Sequence, residues 1–153
     1  MEEKRNCPWC ESGHDGPKHV DSKDCVFCNF TDKEVVIYED NLFTSFLSRA
    51  PLNNYHAIIV PKKHYIDTYE IPDEVLAKMY ILAKKITKAI KQASKADGVS
   101  WMHDDGTAKT AEHFTLHLFP RYKKDNICGH YVRQEDPGLI VRAQYTEEIK
   151  KFL

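Results

Sequence analysis

His113-Phe114-Thr115-Leu116-His117-Leu118-Phe119-Pro120-Arg121 begins as an alternation of polar and apolar residues. On a strand, residues two apart face the same way. Read from Glu112 to Phe119, the strand therefore places His113, Thr115 and His117 on one face and Phe114, Leu116 and Leu118 on the other. Polar side chains opposite an apolar face are expected of a site carried by a rigid element. A third histidine at the centre of this row would offer an imidazole able to attack phosphorus. The centre here is Thr115.

Upstream, Val35 to Tyr38, Phe43 to Leu47 and Ala57 to Val60 are rich in β-branched and aromatic residues and read as strands. Pro61 ends the third, because it donates no ladder hydrogen bond. Asp73 to Ala96 reads as a long helix, with Leu76, Met79, Ala83, Ile86, Ile90 and Ala93 recurring at three- and four-residue steps. Asp73 and Glu74 suit its positive N-terminal end, and Gly98 is the expected stop. Lys84, Lys88, Lys91 and Lys95 form a basic stripe that reads as a solvated face. Val99 to His103 is another strand, joined to the histidine strand by the polar loop Asp104 to Ala111. Leu139 to Arg142 is expected to be a strand and Thr146 to Leu153 a short helix. About five strands and one long helix make an α+β layer.

Composition narrows the class. The chain has 153 residues, 42% of them hydrophobic, enough for one domain with a real core. The net charge of −1 offers no global field for nucleic acid or a membrane surface. No apolar run approaches the ~18 residues of a membrane span. The opening Met1-Glu2-Glu3-Lys4-Arg5-Asn6 lacks a signal-peptide core, so the expected location is the cytoplasm. Five cysteines, four of them in the pairs Cys7/Cys10 and Cys25/Cys28, suggest metal rather than disulfides in a reducing compartment. Cys128 is left over and reads as an unreactive, partly buried thiol. Residues 1–24 are polar and aperiodic and need metal or docking to be ordered. One metal arrangement is a single zinc ribbon, in which Cys7, Cys10, Cys25 and Cys28 supply four thiolates to a tetrahedral ion.

The histidine strand resembles the signature of the histidine triad (HIT) superfamily of nucleotide hydrolases and transferases. Tyr38-Glu39-Asp40 through Ser45-Phe46-Leu47-Ser48 is similar to that family's paired strands. His56-Ala57-Ile58-Ile59-Val60-Pro61-Lys62-Lys63-His64 is similar to its strand ending in Pro-Lys-x-His, and Cys25-Val26-Phe27-Cys28 to the opening of many bacterial members. The resemblance covers roughly residues 25–124. It implies a HIT-like antiparallel sheet of about five strands with one long helix, paired as a homodimer. On this basis the chain divides into a zinc-linked extension (1–24), a HIT-like domain (25–124) and a C-terminal extension (125–153) packing on it.

The departures from the family pattern fall in the site. Thr115 stands where the family has its nucleophilic histidine, Ser48 where it has a ribose-binding aspartate, Lys109 for a glutamine in a phosphate loop that retains Thr110, and Asp104 for an asparagine. The resemblance also implies a second metal arrangement, in which Cys25, Cys28, His64 and His113 hold a structural zinc. Cys7 and Cys10 then need other partners, and His14 and His19 are the nearest candidates.

The implied pocket takes a purine nucleotide, with Phe27 and Phe46 flanking the base. His56, Lys109, Thr110, Thr115 and His117 surround the phosphate, and Ser48 weakens the grip on ribose. The expected function is nucleotide binding with weak, absent or altered hydrolase activity. One alternative is an active hydrolase of AMP-linked or dinucleoside polyphosphate substrates, using Thr115 with His117 as its base or a water activated by His117. Another is a zinc-stabilised interaction module with a vestigial pocket.

Overall fold

The computed structural model describes residues 21–106, 109, 111–125, 127 and 133–153. Its five strands are β1 (Val36–Glu39), β2 (Phe43–Leu47), β3 (Ala57–Pro61), β4 (Gly98–Met102) and β5 (Leu116–Arg121). They form one sheet in the order β1-β2-β3-β5-β4, with every neighbouring pair antiparallel. Two helices, α1 (Asp73–Ser94) and α2 (Leu139–Lys150), pack against the sheet, α1 on β3, β4 and β5 and α2 on β1 and β2. No described helix is long and apolar enough to cross a membrane.

The registers sort the side chains. Phe46 pairs with Ile58, Ile58 with His117 and His117 with Met102, so one row crosses four strands on a single face. Ser45, Ile59 and Leu116 make the neighbouring row on the opposite face. Met79, Ala83, Ile86 and Ile90 of α1 are buried in the same core as Ile59, Leu116 and Leu118. Lys84, Lys88, Lys91 and Lys95 are exposed, as a solvated stripe requires.

Several boundaries depart from the sequence reading, each for a local reason. The histidine strand begins at Leu116 rather than Glu112. Its ladder with β3 stops at Ile59↔Leu116, and the Phe114 amide donates instead to the Tyr65 carbonyl at 2.6 Å. His113 and Thr115 therefore precede the strand. The long helix ends at Ser94, before Gly98: Lys95 takes the left-handed conformation at φ 55°, and Gly98 opens β4 opposite Arg121. The C-terminal strand and short helix are instead one helix, α2. Arg142, Thr146 and Ile149 are its buried positions, at helical spacing, so packing overrides the strand preference of Ile140 and Val141.

Ile86 is fully buried and Lys84 exposed on the same helix. Ile86→Ala is expected to cost about 3 kcal/mol in urea unfolding and Lys84→Ala less than about 0.5 kcal/mol.

Candidate functional site

Two groups of side chains form on the sheet face that carries His117. In the first, Cys25, Cys28, His64 and His113 converge with their donor atoms all within 4.8 Å of one another. His113 Nδ1 lies 3.3 Å from Cys25 Sγ and 3.6 Å from Cys28 Sγ, and His64 Nδ1 lies 3.3 Å from Cys28 Sγ. His113 Nε2–H donates to the Pro61 carbonyl at 2.9 Å. A carbonyl only accepts, so the bond leaves the Nδ1 lone pair directed at the two sulfurs. Burial holds the His113 imidazole down at about 4, in the neutral form that a metal ligand must have. Burial also pushes the Cys28 thiol up to about 11, so a thiolate there requires a cation beside it. Among the described residues His64 Nε2 is buried without a hydrogen-bond partner. This is a possible Cys2His2 metal site. Cys7, Cys10, His14, His19 and Cys128 lie outside the described residues.

The second group is a line of hydrogen bonds. The Leu52 amide donates to His56 Nδ1 at 3.0 Å. His56 Nε2 lies 3.0 Å from His117 Nδ1, and His117 Nε2 lies 3.3 Å from Thr115 Oγ1. Proton positions follow from the first bond, since an amide can only donate. Burial drives His56 well below its ordinary range, so the neutral ring carries its one proton on Nε2 and gives it to His117 Nδ1. Burial holds His117 at about 4, so its own proton sits on Nε2 and points at the Thr115 hydroxyl. Both nitrogens of His117 are thus engaged, and Thr115 accepts. The expectation that His117 serves as the base for Thr115 does not fit this proton order.

A cavity of about 500 Å³ lies nearby: Ile58, the strand neighbour of His117, is in its lining, while Leu52, His56, His117 and Thr115 are not. Phe27, Phe30 and Phe46 form its aromatic part, with Phe30 stacked on Phe46 at 4.0 Å and Phe27 at 5.8 Å from the same ring. Ser48, Arg49 and Arg133 lie on its polar side. Ser48 is buried, and its hydroxyl accepts from the Ala50 amide at 3.2 Å. Asp104 is half-buried, and burial raises its carboxyl.

Lys109 is placed differently from a phosphate ligand. It is buried, its ammonium 3.0 Å from Asp67 Oδ1 and 3.3 Å from Glu112 Oε1. Burial alone would raise the Asp67 carboxyl, but hydrogen bonds from Lys109, Tyr69 and the Gly106 amide outweigh it and hold the group below its usual range. Lys109 therefore pins the loop after β4. Thr110 lies outside the described residues. Sequence reasoning passed over Phe30, Asp67 and Arg133. The Phe30 ring was visible two residues after Cys28, whereas nothing local marks Asp67 or Arg133.

The HIT domain pattern matches residues 29–124. The chain belongs to the HIT family. It is 33% identical over 125 residues to an adenylylsulfatase of Arabidopsis thaliana, a match that takes in 76% of this chain and 64% of that longer protein. An HIT-like protein of Methanocaldococcus jannaschii is 34% identical over 131 residues, covering 82% of this chain and 98% of the relative. Among solved structures, a hypothetical histidine triad nucleotide-binding protein of Sulfolobus tokodaii superposes with a TM-score of 0.73 at 25% identity, covering 83% of this chain and 90% of the other. A Zn-bound histidine triad family protein of Mycobacterium smegmatis does so with a TM-score of 0.72 at 28% identity, covering 86% and 94%. The fold is that of HIT nucleotide-binding proteins and hydrolases.

The buried neutral histidines set the sign of the acid response. His117 titrates at about 4 when folded and near 6.5 when unfolded, so the unfolded chain takes its proton first as pH falls. The stability associated with neutral His117 is complete above about 6.5 and drains away toward about 4. His117→Gln is expected to make the loss between pH 7 and pH 4.5 smaller by about 2–3 kcal/mol, measured by urea unfolding at both values.

Proposed function

We propose that this HIT protein binds a purine nucleotide in the cavity beside His117 and hydrolyses it slowly or not at all. The observation that carries the reading is the line from Leu52 through His56 and His117, which ends on Thr115 Oγ1 rather than on an imidazole. The Phe27, Phe30 and Phe46 rings suit a base, which stacks on aromatic faces. The Thr115 hydroxyl accepts from His117 Nε2–H and keeps its own O–H to donate to a phosphoryl oxygen. A hydroxyl with no base beside it is a poor nucleophile, and losing a covalent nucleophile costs about 10⁴ to 10⁶ in rate. The adenylylsulfatase relative adds adenylyl sulfate to the AMP-linked compounds worth testing.

The reading includes a structural zinc held by Cys25, Cys28, His64 and His113. A tetrahedral ion with Zn–S of about 2.3 Å and Zn–N of about 2.0–2.1 Å separates S from N by about 3.6 Å. The S···N distances of 3.3, 3.3 and 3.6 Å are close to that. Four protein ligands leave no open position for water, so the ion would tie residues 25–28 to the ends of two sheet segments rather than take part in chemistry. We assign residues 1–24 to a zinc-linked extension in which Cys7 and Cys10, with His14 and His19, hold a second ion. Thiolate ligands are compatible with a reducing cytoplasm. The homodimer would form at edge strand β4, where exposed Trp101 lies beside exposed Tyr80 of α1.

AMP release from an adenosine phosphoramidate, a dinucleoside polyphosphate and adenylyl sulfate tests the central claim. The protein as it stands is expected near background, and Thr115→His is expected to raise release roughly 10²-fold or more. Turnover by the parent at a rate typical of enzymes, 1 s⁻¹ or above, would refute the reading. Metal analysis is expected to find about two zinc ions per chain, with about one lost in Cys28→Ser together with a lower melting midpoint. Trp101→Glu is expected to shift sedimentation from dimer to monomer.

A further inference from the structure

Arg133 lies beyond residues 29–124 that match the HIT domain, yet it lines the aromatic cavity. Its placement follows from a short strap anchored on the C-terminal side of Arg133. On the C-terminal side of Arg133, the Gln134 amide donates to the Pro51 carbonyl at 2.7 Å, and Gln134 Nε2 donates to the Leu52 carbonyl at 3.1 Å. Two residues on, Asp136 Oδ1 accepts from Arg142 Nε at 3.1 Å, and Arg142 is buried on α2. Leu52 is the same residue whose amide donates to His56 Nδ1. The strap is thus bonded to the loop that orients the histidine line. Arg133 is close enough to His56, His117 and Asp104 to act on all three electrostatically: after burial, its charge further disfavours protonating the histidines and favours ionised Asp104.

The cavity lining consequently combines two chemistries. The three phenylalanine rings offer an apolar, stacking surface. The lining also includes Arg133, which is exposed and whose charge acts on His117. Two further arginines border the cavity. Arg49 is ion-paired with Asp32 and Arg142 with Asp136. Arg133 also lines the cavity, and its charge acts on His56 and His117. A planar guanidinium fork matches the oxygens of a phosphoryl group and can grip two at once.

We propose that Arg133, presented by the strap pinned at Gln134, is the residue that binds the phosphoryl group of the nucleotide held in the cavity. The inference rests on the nucleotide-binding reading above and adds to it the class of ligand. The site takes a nucleotide carrying an exposed phosphoryl end and discriminates against the uncharged nucleoside. In this arrangement the C-terminal segment supplies the anion contact, while Lys109 is spent on Asp67 and Glu112.

Calorimetric titration of the full chain with adenosine, AMP and ADP tests this, using Arg133→Gln and Arg133→Lys. AMP and ADP are expected to bind the parent more tightly than adenosine. Arg133→Gln should weaken AMP and ADP about tenfold and leave adenosine unchanged. Arg133→Lys should recover part of the loss, because it keeps the charge without the fork. The AMP affinity of the parent should also fall more steeply with salt than that of Arg133→Gln. Arg133 is exposed, so its variants should melt with the parent. If AMP binds the parent and Arg133→Gln equally, the inference fails while the nucleotide reading stands. The same holds if adenosine binds the parent as tightly as AMP, or if Arg133→Gln loses adenosine and AMP alike. If the parent binds none of the three ligands, the nucleotide reading fails and the inference with it.

Discussion

Pairing of β3 with β5 at Ile58↔His117 is the constraint that both halves of the site share. It brings His56, at the entry to β3, to 3.0 Å from His117 on β5. It also brings Pro61, at the exit of β3, to His113 just before β5, where the Pro61 carbonyl fixes the ring's tautomer at 2.9 Å. A slip of one residue would send His117 to the face that carries Leu116 and dismantle both clusters at once. The apolar row of Ile59, Leu116 and Leu118 under α1 makes such a slip costly, because it would expose these side chains and bury His117 among them. Packing on one face of the sheet therefore holds the chemistry on the other.

A single backbone amide then determines how that chemistry is polarised. Histidine tautomers are ordinarily free to exchange, but the Leu52 amide can only donate, and burial denies His56 and His117 a second proton. The direction of every later bond follows, out to Thr115. The line is thus a fixed array of donors aimed at one point rather than a proton acceptor. A hydroxyl at its end preserves the hydrogen bonding.

The loop after β4 shows how a change of residue type can move a side chain out of a site. A lysine at position 109 carries a full charge, and the carboxylates of buried Asp67 and half-buried Glu112 are close enough to capture it. Satisfying a buried ammonium with two carboxylates is favoured over leaving any of the three charges unpaired. The described cations that line the cavity are Arg49, Arg133 and Arg142. The family match ends at residue 124, so Arg133 and Arg142 lie outside it.

Local pattern alone determined the sheet's strands and the long helix, because hydrophobic periodicity reports which face is buried before any partner is known. Phe43–Leu47 appears as read, and the helix begins at Asp73 as expected. The ordered motifs determined the family and brought forward His56, Thr115 and His117, together with Cys25, Cys28, His64 and His113. Tertiary structure decided what local preference could not. It turned Leu139–Lys150 into one helix, since burial of Arg142, Thr146 and Ile149 outweighs β-branched propensity. It also moved the start of the histidine strand to Leu116, set the proton order of the histidine line, gave Lys109 to Asp67 and brought Arg133 to the cavity. Each of these depends on contacts between residues far apart in the chain. Their energies are fixed by burial and by which partner donates, and neither is written in a neighbouring residue.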